Sequence, residues 1–200
     1  MGSTVHIART GTANLASVAA ALARAGMEVE LTTDPEAVRR AERVVLPGVG
    51  AFDAAMTELS RTGLAEALIE RIGARRPTLA ICLGMQLFAA TSAESPGARG
   101  LGLVSAPIER LSGARVPHFG WSEVRPGDEA ELLRPGYAYF AHSYRLLEAP
   151  AGFRAAYTTH GETFVSAFET GPILACQFHP ELSGSYGRQL IQRWIDAGRR

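Results

Sequence analysis

The run Thr78-Leu79-Ala80-Ile81-Cys82-Leu83-Gly84-Met85-Gln86 decides the fold, because an apolar strand passes through a sharp turn into a helix. Ala80 and Gly84 flank Cys82 at two positions on either side. This small-x-nucleophile-x-small spacing is the elbow pattern of α/β sheets, with Cys in place of Ser. Such a turn presents the thiol at a helix N-terminus, where the helix dipole favours thiolate. The alternative interpretation of this window is a buried cysteine at the end of a strand.

On the N-terminal side of this run, strand and helix signals alternate. The predicted strands are residues 4–8, 27–32, 43–46 and 78–81. Asn14 is a good N-cap for the first helix, and Pro35 occupies the first position of the second helix. A third helical stretch covers residues 52–73 with a break near Gly63, and another helix is predicted over residues 83–90. This βαβα order predicts a parallel sheet with helices on both faces.

The second half of the chain changes character. Strand-like runs at residues 116–124, 137–145, 163–168 and 173–178 are separated by turns, and a last helix is predicted over residues 187–197. Part of this half is predicted to extend the sheet with antiparallel strands. Because the sequence contains no linker or repeat, residues 1–200 are predicted to form a single domain with an α/β/α layer arrangement.

Composition narrows the possible functions. The chain has 200 residues, 46% hydrophobic and 20% charged, which is typical of a soluble globular protein. Its formal net charge of zero argues against nucleic acid as the main partner. No apolar run approaches the length of a membrane span, and residues 1–8 lack the features of a signal peptide. The cytoplasm is therefore the expected location, where Cys82 and Cys176 are not expected to form a disulfide.

A base for the Cys82 thiol is found in the run Gln177-Phe178-His179-Pro180-Glu181. In an extended backbone His179 and Glu181 point to the same side, so Glu181 can hold the imidazole in the correct tautomer. The alternative is a strand-end histidine with a solvated glutamate. Both motifs follow predicted strands, and α/β sheets place their sites at the carboxyl ends of strands. The two motifs therefore support each other as a Cys82–His179–Glu181 triad.

An oxyanion hole is predicted from the turn Pro47-Gly48-Val49-Gly50, where side chains do not obstruct the backbone N–H groups. The predicted donors are the N–H groups of Val49, Gly50 and Leu83. Cys176 and His179 are three residues apart and could together bind a metal. Two ligands are weak support for zinc, so neither a metal nor a cofactor is predicted. The other histidines, His6, His118, His142 and His160, are scattered in sequence, and most of them are predicted to be ordinary polar positions.

Five blocks carry a resemblance to a known family. They are VLPGVGAF at residues 45–52, ICLGMQL at 81–87, PHFGW at 117–121, YFAHSY at 139–144 and QFHPE at 177–181. In order and spacing they resemble the glutaminase subunits of imidazole glycerol phosphate synthase, which are class I glutamine amidotransferases. The Cys and His-Pro-Glu motifs are shared by the whole class, whereas the other three blocks are more particular to these subunits. The likeness covers essentially the whole chain.

The resemblance implies a flavodoxin-like three-layer α/β/α sandwich with an antiparallel extension of a mostly parallel sheet. It implies that Cys82 attacks the side-chain amide of L-glutamine, that His179 shuttles the proton and that Glu181 orients His179. The implied glutamine-binding residues are Gly50, Gln86, Glu94, His142, Ser143 and Tyr144. The implied partner is a cyclase subunit in a heterodimer, with Arg9, Asn14, Trp121 and Tyr139 at the interface. Ammonia would pass to the cyclase, which makes imidazole glycerol phosphate and an aminoimidazole carboxamide ribotide.

Four residues depart from the pattern of the family. Arg9 replaces an acid, Ala80 replaces the elbow glycine, Ser122 replaces an Asn and Leu182 replaces a Lys or Arg. None of these changes removes a catalytic group, but Arg9, Ser122 and Leu182 bear on the identity of the partner. Two alternatives therefore stay open. One is a paralogue that supplies ammonia to another synthase, such as a surface-sugar amidation enzyme, and the other is an inactive scaffold subunit.

Overall fold

The computed structural model describes residues 3–11, 14–112 and 115–198. The strands are β1 (Thr4–Ala8), β2 (Glu28–Thr32), β3 (Arg43–Leu46), β4 (Thr78–Ile81), β5 (Ile108–Arg110), β6 (His118–Pro126), β7 (Gly136–His142), β8 (Tyr144–Leu146), β9 (Arg154–His160), β10 (Glu162–Thr170) and β11 (Ile173–Cys176). The helices are α1 (Leu15–Arg24), α2 (Pro35–Arg40), α3 (Phe52–Thr62), α4 (Leu64–Gly73), α5 (Leu83–Gln86) and α6 (Gly184–Ala197). A 3-10 turn, Pro180–Leu182, precedes α6.

The strands form one mixed sheet in the order β2-β1-β3-β4-β11-β10-β9-β6-β7, with β5 and β8 paired beside β10. Strands β2, β1, β3, β4 and β11 are parallel, and antiparallel pairing begins between β11 and β10. Every residue of β3 and β4 is buried, as expected for parallel strands that are covered on both faces. The predicted antiparallel extension of the sheet is confirmed.

Side chains from the parallel strands pack into two cores on opposite faces of the sheet. Val44 and Leu46 pack with α3 and α4, whereas Val45 between them packs with α1 and α6. This alternation follows from the two-residue period of a strand. The predicted α/β class with three layers, helices on either side of a central sheet, is confirmed.

The predicted starts of α1 and α2 are confirmed by cap geometry. The Asn14 side chain accepts a hydrogen bond from the N–H of Ser17, and that of Asp34 accepts one from Glu36. Gly63 adopts a left-handed φ of 74° between α3 and α4, which is the break predicted in residues 52–73.

Several predicted elements were wrong in extent. Helix α5 ends at Gln86 rather than at residue 90, because the following backbone bonds to residues 100–104 instead: Leu101 N–H donates to Leu87 and Val104 N–H donates to Phe88. The predicted strand at 137–145 is broken at Ser143 into β7 and β8. Strands β5 and β9 were not predicted, since β5 has three residues and β9 (RAAYTTH) lacks an alternating apolar pattern.

Within the described ranges, no helix has both the length and the apolar character required to cross a membrane.

Candidate active site

Cys82 lies at the sharp turn between β4 and α5. Its φ of 54° and ψ of −110° lie in a region that residues other than glycine rarely adopt, so the backbone is strained there. The turn is held because Cys82 N–H donates to the carbonyl of Cys176 on β11, at 2.7 Å. A Cβ at Gly84 would collide with the carbonyl of Leu46, so only glycine fits this side of the turn. Ala80, on the other side, is fully buried in the core with no need for glycine.

The Pro47–Gly50 turn lies directly against the first residues of α5. A Cβ on Gly48 would be 2.8 Å from Leu83 Cβ and 2.9 Å from Gly84 N, so the two backbones are in contact only because residue 48 is glycine. Gly50 adopts a positive φ of 96°. Leu83 is the first residue of α5, where a backbone N–H has no acceptor within the helix. Val49, Gly50 and Leu83 therefore line one wall beside Cys82.

His179 follows β11, the strand next to β4, so it lies at the same edge of the sheet as Cys82. Its Nδ1 is 2.9 Å from Glu181 Oε1, and the Glu181 side chain is 2% exposed. The expected extended backbone between them was wrong in part, because Pro180–Leu182 forms a 3-10 turn. The turn still brings the Glu181 carboxylate to the imidazole of His179. The carboxylate accepts a hydrogen bond from Nδ1 and so keeps hydrogen on that nitrogen.

Electrostatics favour a charged imidazole at this position. Burial alone lowers the pKa of His179, but its interactions with Cys82 and Glu181 outweigh burial and raise the pKa to about 10. The other cysteine, Cys176, has the opposite environment: it is fully buried on β11, and burial raises the pKa of its thiol. Of the two cysteines, only Cys82 has an imidazolium partner that can stabilise a thiolate.

The backbone of His179 is fixed to strand β7. Its N–H donates to the carbonyl of Tyr139 at 2.9 Å, and its carbonyl accepts a hydrogen bond from the Ser183 hydroxyl at 2.6 Å. The Ser183 oxygen in turn accepts from the N–H of Tyr139 at 2.9 Å. Ser183 was not predicted as a site residue, although it lies directly beyond the His-Pro-Glu motif.

A cleft of about 240 Å³ opens beside the thiol. All of the residues expected to bind glutamine or to form the oxyanion hole line this cleft, namely Val49, Gly50, Leu83, Gln86, Glu94, His142, Ser143 and Tyr144. The rest of the lining is Cys82, Pro117, Phe119 and Ala141. His179 and Glu181 are not in this lining. They face a smaller cavity on the other side, which they share with Asn14 and the Pro47–Val49 turn.

Two side chains of the cleft are held by specific hydrogen bonds. Glu94 Oε2 accepts from the N–H of Phe52, the first residue of α3, and burial raises the pKa of this carboxyl group. Gln86 Nε2 donates to the carbonyl of Tyr144 at 2.9 Å and to Gln177 Oε1 at 3.0 Å. Gln177 Nε2 is 3.7 Å from Cys82 Sγ. Gln177 was missed as a site residue, although it begins the block that contains His179.

The interpretation of the histidines as scattered polar positions was wrong for three of them. His118 Nδ1 is 3.2 Å from His142 Nε2, and the rings of His118 and His160 stack with their centroids 3.9 Å apart. They lie on β6, β7 and β9, which are far apart in sequence. Burial lowers the pKa of His118 to about 4 and that of His142 to about 3. Within the described residues, no group of His, Cys, Asp or Glu side chains has the arrangement of a metal site.

Strands β6 and β7 present an aromatic face, which we define as Phe119, Trp121, Tyr137 and Tyr139. Trp121 pairs across the strands with Tyr139. Phe119 lies two residues before Trp121 in β6 and Tyr137 two residues before Tyr139 in β7, so both are on the same face. Phe119, Trp121 and Tyr137 are each more than half exposed. Leu182 is also exposed near this end of the sheet. Phe119 and Tyr137 were not predicted, because single exposed aromatic residues cannot be told from core residues by sequence.

The two remaining interface candidates lie between β1 and α1 in the sequence. Asn14 is exposed and caps α1, and it borders the small cavity beside His179 and Glu181. Arg9 is exposed just after β1. The hydrogen bond from Arg61 lowers the pKa of Glu58, and the charge of Arg9 adds a smaller effect in the same direction.

Comparisons with known proteins point to one class. The family model "Glutamine amidotransferase class-I" matches residues 10–196. The imidazole glycerol phosphate synthase subunit HisH of Symbiobacterium thermophilum is 41% identical over 189 residues, or 92% of this chain and 89% of that protein. The HisH subunit of Carboxydothermus hydrogenoformans is 42% identical over 184 residues, or 90% of this chain and 92% of that protein. Imidazole glycerol phosphate synthase hisHF, chloroplastic, of Arabidopsis thaliana is 37% identical over 96% of this chain, which spans only 34% of that protein.

Solved structures agree on the fold. A crystal structure described as a glutamine amidotransferase matches with a TM-score of 0.79, at 18% identity and over 100% of both chains. PurLQS from Thermotoga maritima matches with a TM-score of 0.76, at 15% identity and over 98% of this chain and 99% of that one. At these identities the likeness supports the fold alone.

Proposed function

Since the chain belongs to the class I glutamine amidotransferases and, within them, to the HisH subunits of imidazole glycerol phosphate synthase, we propose that it hydrolyses L-glutamine to glutamate and ammonia. The observation that carries this proposal is the juxtaposition of a strained Cys82 elbow with the His179–Glu181 pair at the ends of two adjacent parallel strands. An inactive scaffold subunit would have no need for a strained thiol beside a charged imidazole.

The proposed reaction begins with attack of the Cys82 thiolate on the side-chain carbonyl carbon of glutamine. The carbonyl oxygen becomes an oxyanion, which accepts hydrogen bonds from the N–H groups of Leu83 and of Val49 or Gly50. His179 gives its proton to the amide nitrogen, so the carbon–nitrogen bond breaks and ammonia leaves behind a thioester. His179 then takes a proton from water, whose oxygen attacks the thioester and releases glutamate and the thiol. Glu181 keeps the imidazole oriented throughout.

The substrate would lie in the cleft beside Cys82. Glu94 supplies a carboxylate that suits the α-ammonium group of an amino acid, provided that it is ionised when substrate binds. The backbone of Ser143 and Tyr144, with the side chains of Gln86 and His142, forms the opposite wall. A small cleft with a few fixed polar groups favours a compact amino-acid substrate over a large one.

The proposed partner is the cyclase subunit of imidazole glycerol phosphate synthase, in a heterodimer. The aromatic face supports this, because exposed clusters of Trp, Tyr and Phe are typical of protein interfaces. It lies next to the site, since Tyr139 is bonded through its backbone to His179 and Ser183. Ammonia would cross this interface to the cyclase, which makes imidazole glycerol phosphate and aminoimidazole carboxamide ribotide in histidine biosynthesis. The Arabidopsis relative, named hisHF, is consistent with glutaminase and cyclase in one chain.

Two further parts of the proposal rest on the sequence. We propose that residues 1–200 form one amidotransferase domain. We also propose that the protein works in the cytoplasm, as its composition predicts, although the Arabidopsis relative is named as chloroplastic.

Labelling of the two cysteines tests the proposed nucleophile. A glutamine-mimicking electrophile should label Cys82 and leave the buried Cys176 unmodified. Cys82→Ala should lose labelling and glutamine turnover by a thousandfold or more, on the order expected for a lost triad nucleophile. Cys176→Ala is the matched control and should keep both. Labelling of Cys176, or turnover by Cys82→Ala, would remove Cys82 from its proposed role.

Ammonium salts test the division of labour between the subunits. A complex of the cyclase with the Cys82→Ala chain should form product from ammonium at the wild-type rate, because the triad only releases ammonia. Failure with ammonium, where the wild-type complex works with glutamine, would show that this chain also acts on the acceptor.

A further inference from the structure

Two of the three clustered histidines, His118 and His142, form part of a continuous chain of hydrogen bonds that begins at Ser122 on β6 and ends in the wall of the cleft. Ser122 Oγ is 2.9 Å from His118 Nε2, and His118 Nδ1 is 3.2 Å from His142 Nε2. His142 Nδ1 is 2.8 Å from the carbonyl oxygen of Tyr144. We call these three side chains and this carbonyl the relay. Ser122 is the neighbour of Trp121 in β6, whereas Tyr144 lines the cleft.

The direction of every bond in the relay is fixed by its last member. A carbonyl oxygen can only accept, so His142 Nδ1 must carry hydrogen, which leaves a lone pair on Nε2 of the neutral ring. His118 Nδ1 must then donate to that lone pair, and His118 Nε2 must accept from the Ser122 hydroxyl. This assignment requires both rings to be neutral, which agrees with their burial and lowered pKa values. All donors therefore point from Ser122 toward the cleft.

Packing holds the central ring of the relay in place. His118 is stacked between Phe140, at a centroid distance of 4.7 Å, and His160, at 3.9 Å. His160 Nε2 is itself 2.8 Å from the carbonyl of Arg115. Because His118 is 1% exposed and covered on both ring faces, it cannot tilt away from His142 or turn to water without disturbing its neighbours.

At its inner end the relay meets the polar groups beside the thiol. The Tyr144 carbonyl accepts from both His142 Nδ1 and Gln86 Nε2, so both of its lone pairs are used. Gln86 also donates to Gln177 Oε1, which turns the Gln177 amide nitrogen toward Cys82 Sγ. If the relay were reversed, a lone pair of His142 would face the Tyr144 carbonyl and repel it, and this wall of the cleft would shift.

From these contacts we propose that Ser122 and His118 are positioning residues of the glutaminase, which hold the Tyr144 wall of the cleft through a chain of hydrogen bonds that starts at the Ser122 hydroxyl. The proposal rests on the proposed glutaminase function. It gives Ser122, which replaces the asparagine usual in the family, a role that depends only on its hydroxyl.

Nitrogen-15 NMR of the histidine side chains tests the relay without any activity. In the wild-type chain, with signals assigned from single His→Asn variants, His118 and His142 should both be neutral with hydrogen on Nδ1. Ser122→Ala should leave hydrogen on Nδ1 of His118, because the Tyr144 carbonyl fixes this tautomer, but should shift the Nε2 signal of His118, which loses its donor; Ser122→Thr should keep the wild-type signal. Hydrogen on Nε2 of His142 in the wild type, or a charged ring at pH 7, would overturn the relay.

Kinetics of the complex with cyclase test the positioning role. At saturating cyclase, Ser122→Ala should lower kcat/KM for glutamine about two- to tenfold, the effect of one neutral hydrogen bond, and leave ammonium-driven synthesis unchanged. Ser122→Thr should restore the rate. The matched control is Thr159→Ala, which removes a hydroxyl bonded to Arg125 and Thr163 outside the relay. Unchanged glutamine kinetics in Ser122→Ala, or a loss confined to the affinity for cyclase, would refute positioning.

A double-mutant cycle adds a test of connectivity. His118→Phe keeps the stacked ring and removes both hydrogen bonds, so adding Ser122→Ala to it should cost no further activity. Additive losses would show that the two residues act separately. If His118→Phe does not fold, the comparison of Ser122→Ala with Ser122→Thr still tests the positioning role. A wild-type complex with cyclase and acceptor ligand that lacks glutaminase activity would contradict the proposed function, while the NMR result would still settle the relay.

Discussion

Gly48→Ala is the substitution that most directly tests the contact between the Pro47–Gly50 turn and the elbow at Cys82. The new Cβ would be 2.8 Å from Leu83 Cβ and 2.9 Å from Gly84 N. Carbon atoms need about 3.5–4.0 Å, so the turn must retreat by about 1 Å. The elbow cannot retreat instead, because Gly84 is already packed tightly against the carbonyl of Leu46.

A retreat of about 1 Å takes the N–H groups of Val49 and Gly50 out of hydrogen-bonding range of the oxyanion. Loss of one such donor costs about 2.7–4 kcal/mol of transition-state stabilisation. We therefore expect glutamine turnover by the Gly48→Ala complex to fall about a hundred- to a thousandfold. Because substrate in its ground state does not need this donor, the loss should appear in kcat more than in KM.

The assay compares glutamine-driven and ammonium-driven synthesis by the complex with cyclase. Ammonium-driven synthesis should be unchanged, which shows that the variant is folded and docked. Gly73→Ala is the matched control, since nothing lies within 4 Å of a Cβ at that position. If Gly48→Ala keeps more than about a tenth of the wild-type kcat, where the lost donor should cost at least a hundredfold, the turn does not supply the oxyanion donor.

Three further predictions concern the partner, Ser183 and pH. Glutamine turnover should be low for the chain alone and rise with cyclase and again with acceptor ligand; equal rates in all three states would exclude gating by the partner. Ser183→Ala should lower kcat about tenfold, by loosening the bonds that join His179 to Tyr139, and unchanged kcat would contradict this. The free energy of unfolding should fall by about 1–3 kcal/mol per pH unit from about pH 6 to 5, because the folded pKa values of His118 and His142 lie below the ordinary 6.5, whereas His179 is largely protonated in both states there. Urea titrations should show that the free energy of unfolding of His118→Asn depends less steeply on pH, and an unchanged dependence would contradict this.

Local signals in the sequence were sufficient for the parallel half of the fold. Helix starts are marked by Asn14 and Asp34, whose side chains accept the capping hydrogen bonds. The break between α3 and α4 is marked by Gly63, whose lack of a side chain allows its left-handed φ. Continuous apolar runs mark β3 and β4, because strands buried on both faces need no polar alternation. Strand β9 was missed for the converse reason, since its Ala and Thr residues carry no pattern and pair only because β10 and β6 lie beside them.

The sequence by itself determined the candidate triad, because a nucleophile between small residues and a His-Pro-Glu run are chemical patterns within a few residues of chain. Only the tertiary structure decided which distant groups meet. It brought His118, His142 and His160 together from three strands, placed Ser183 between His179 and Tyr139, and set Gly48 against Leu83. Such contacts depend on strand order and register, and these follow from packing of the whole sheet rather than from any short segment.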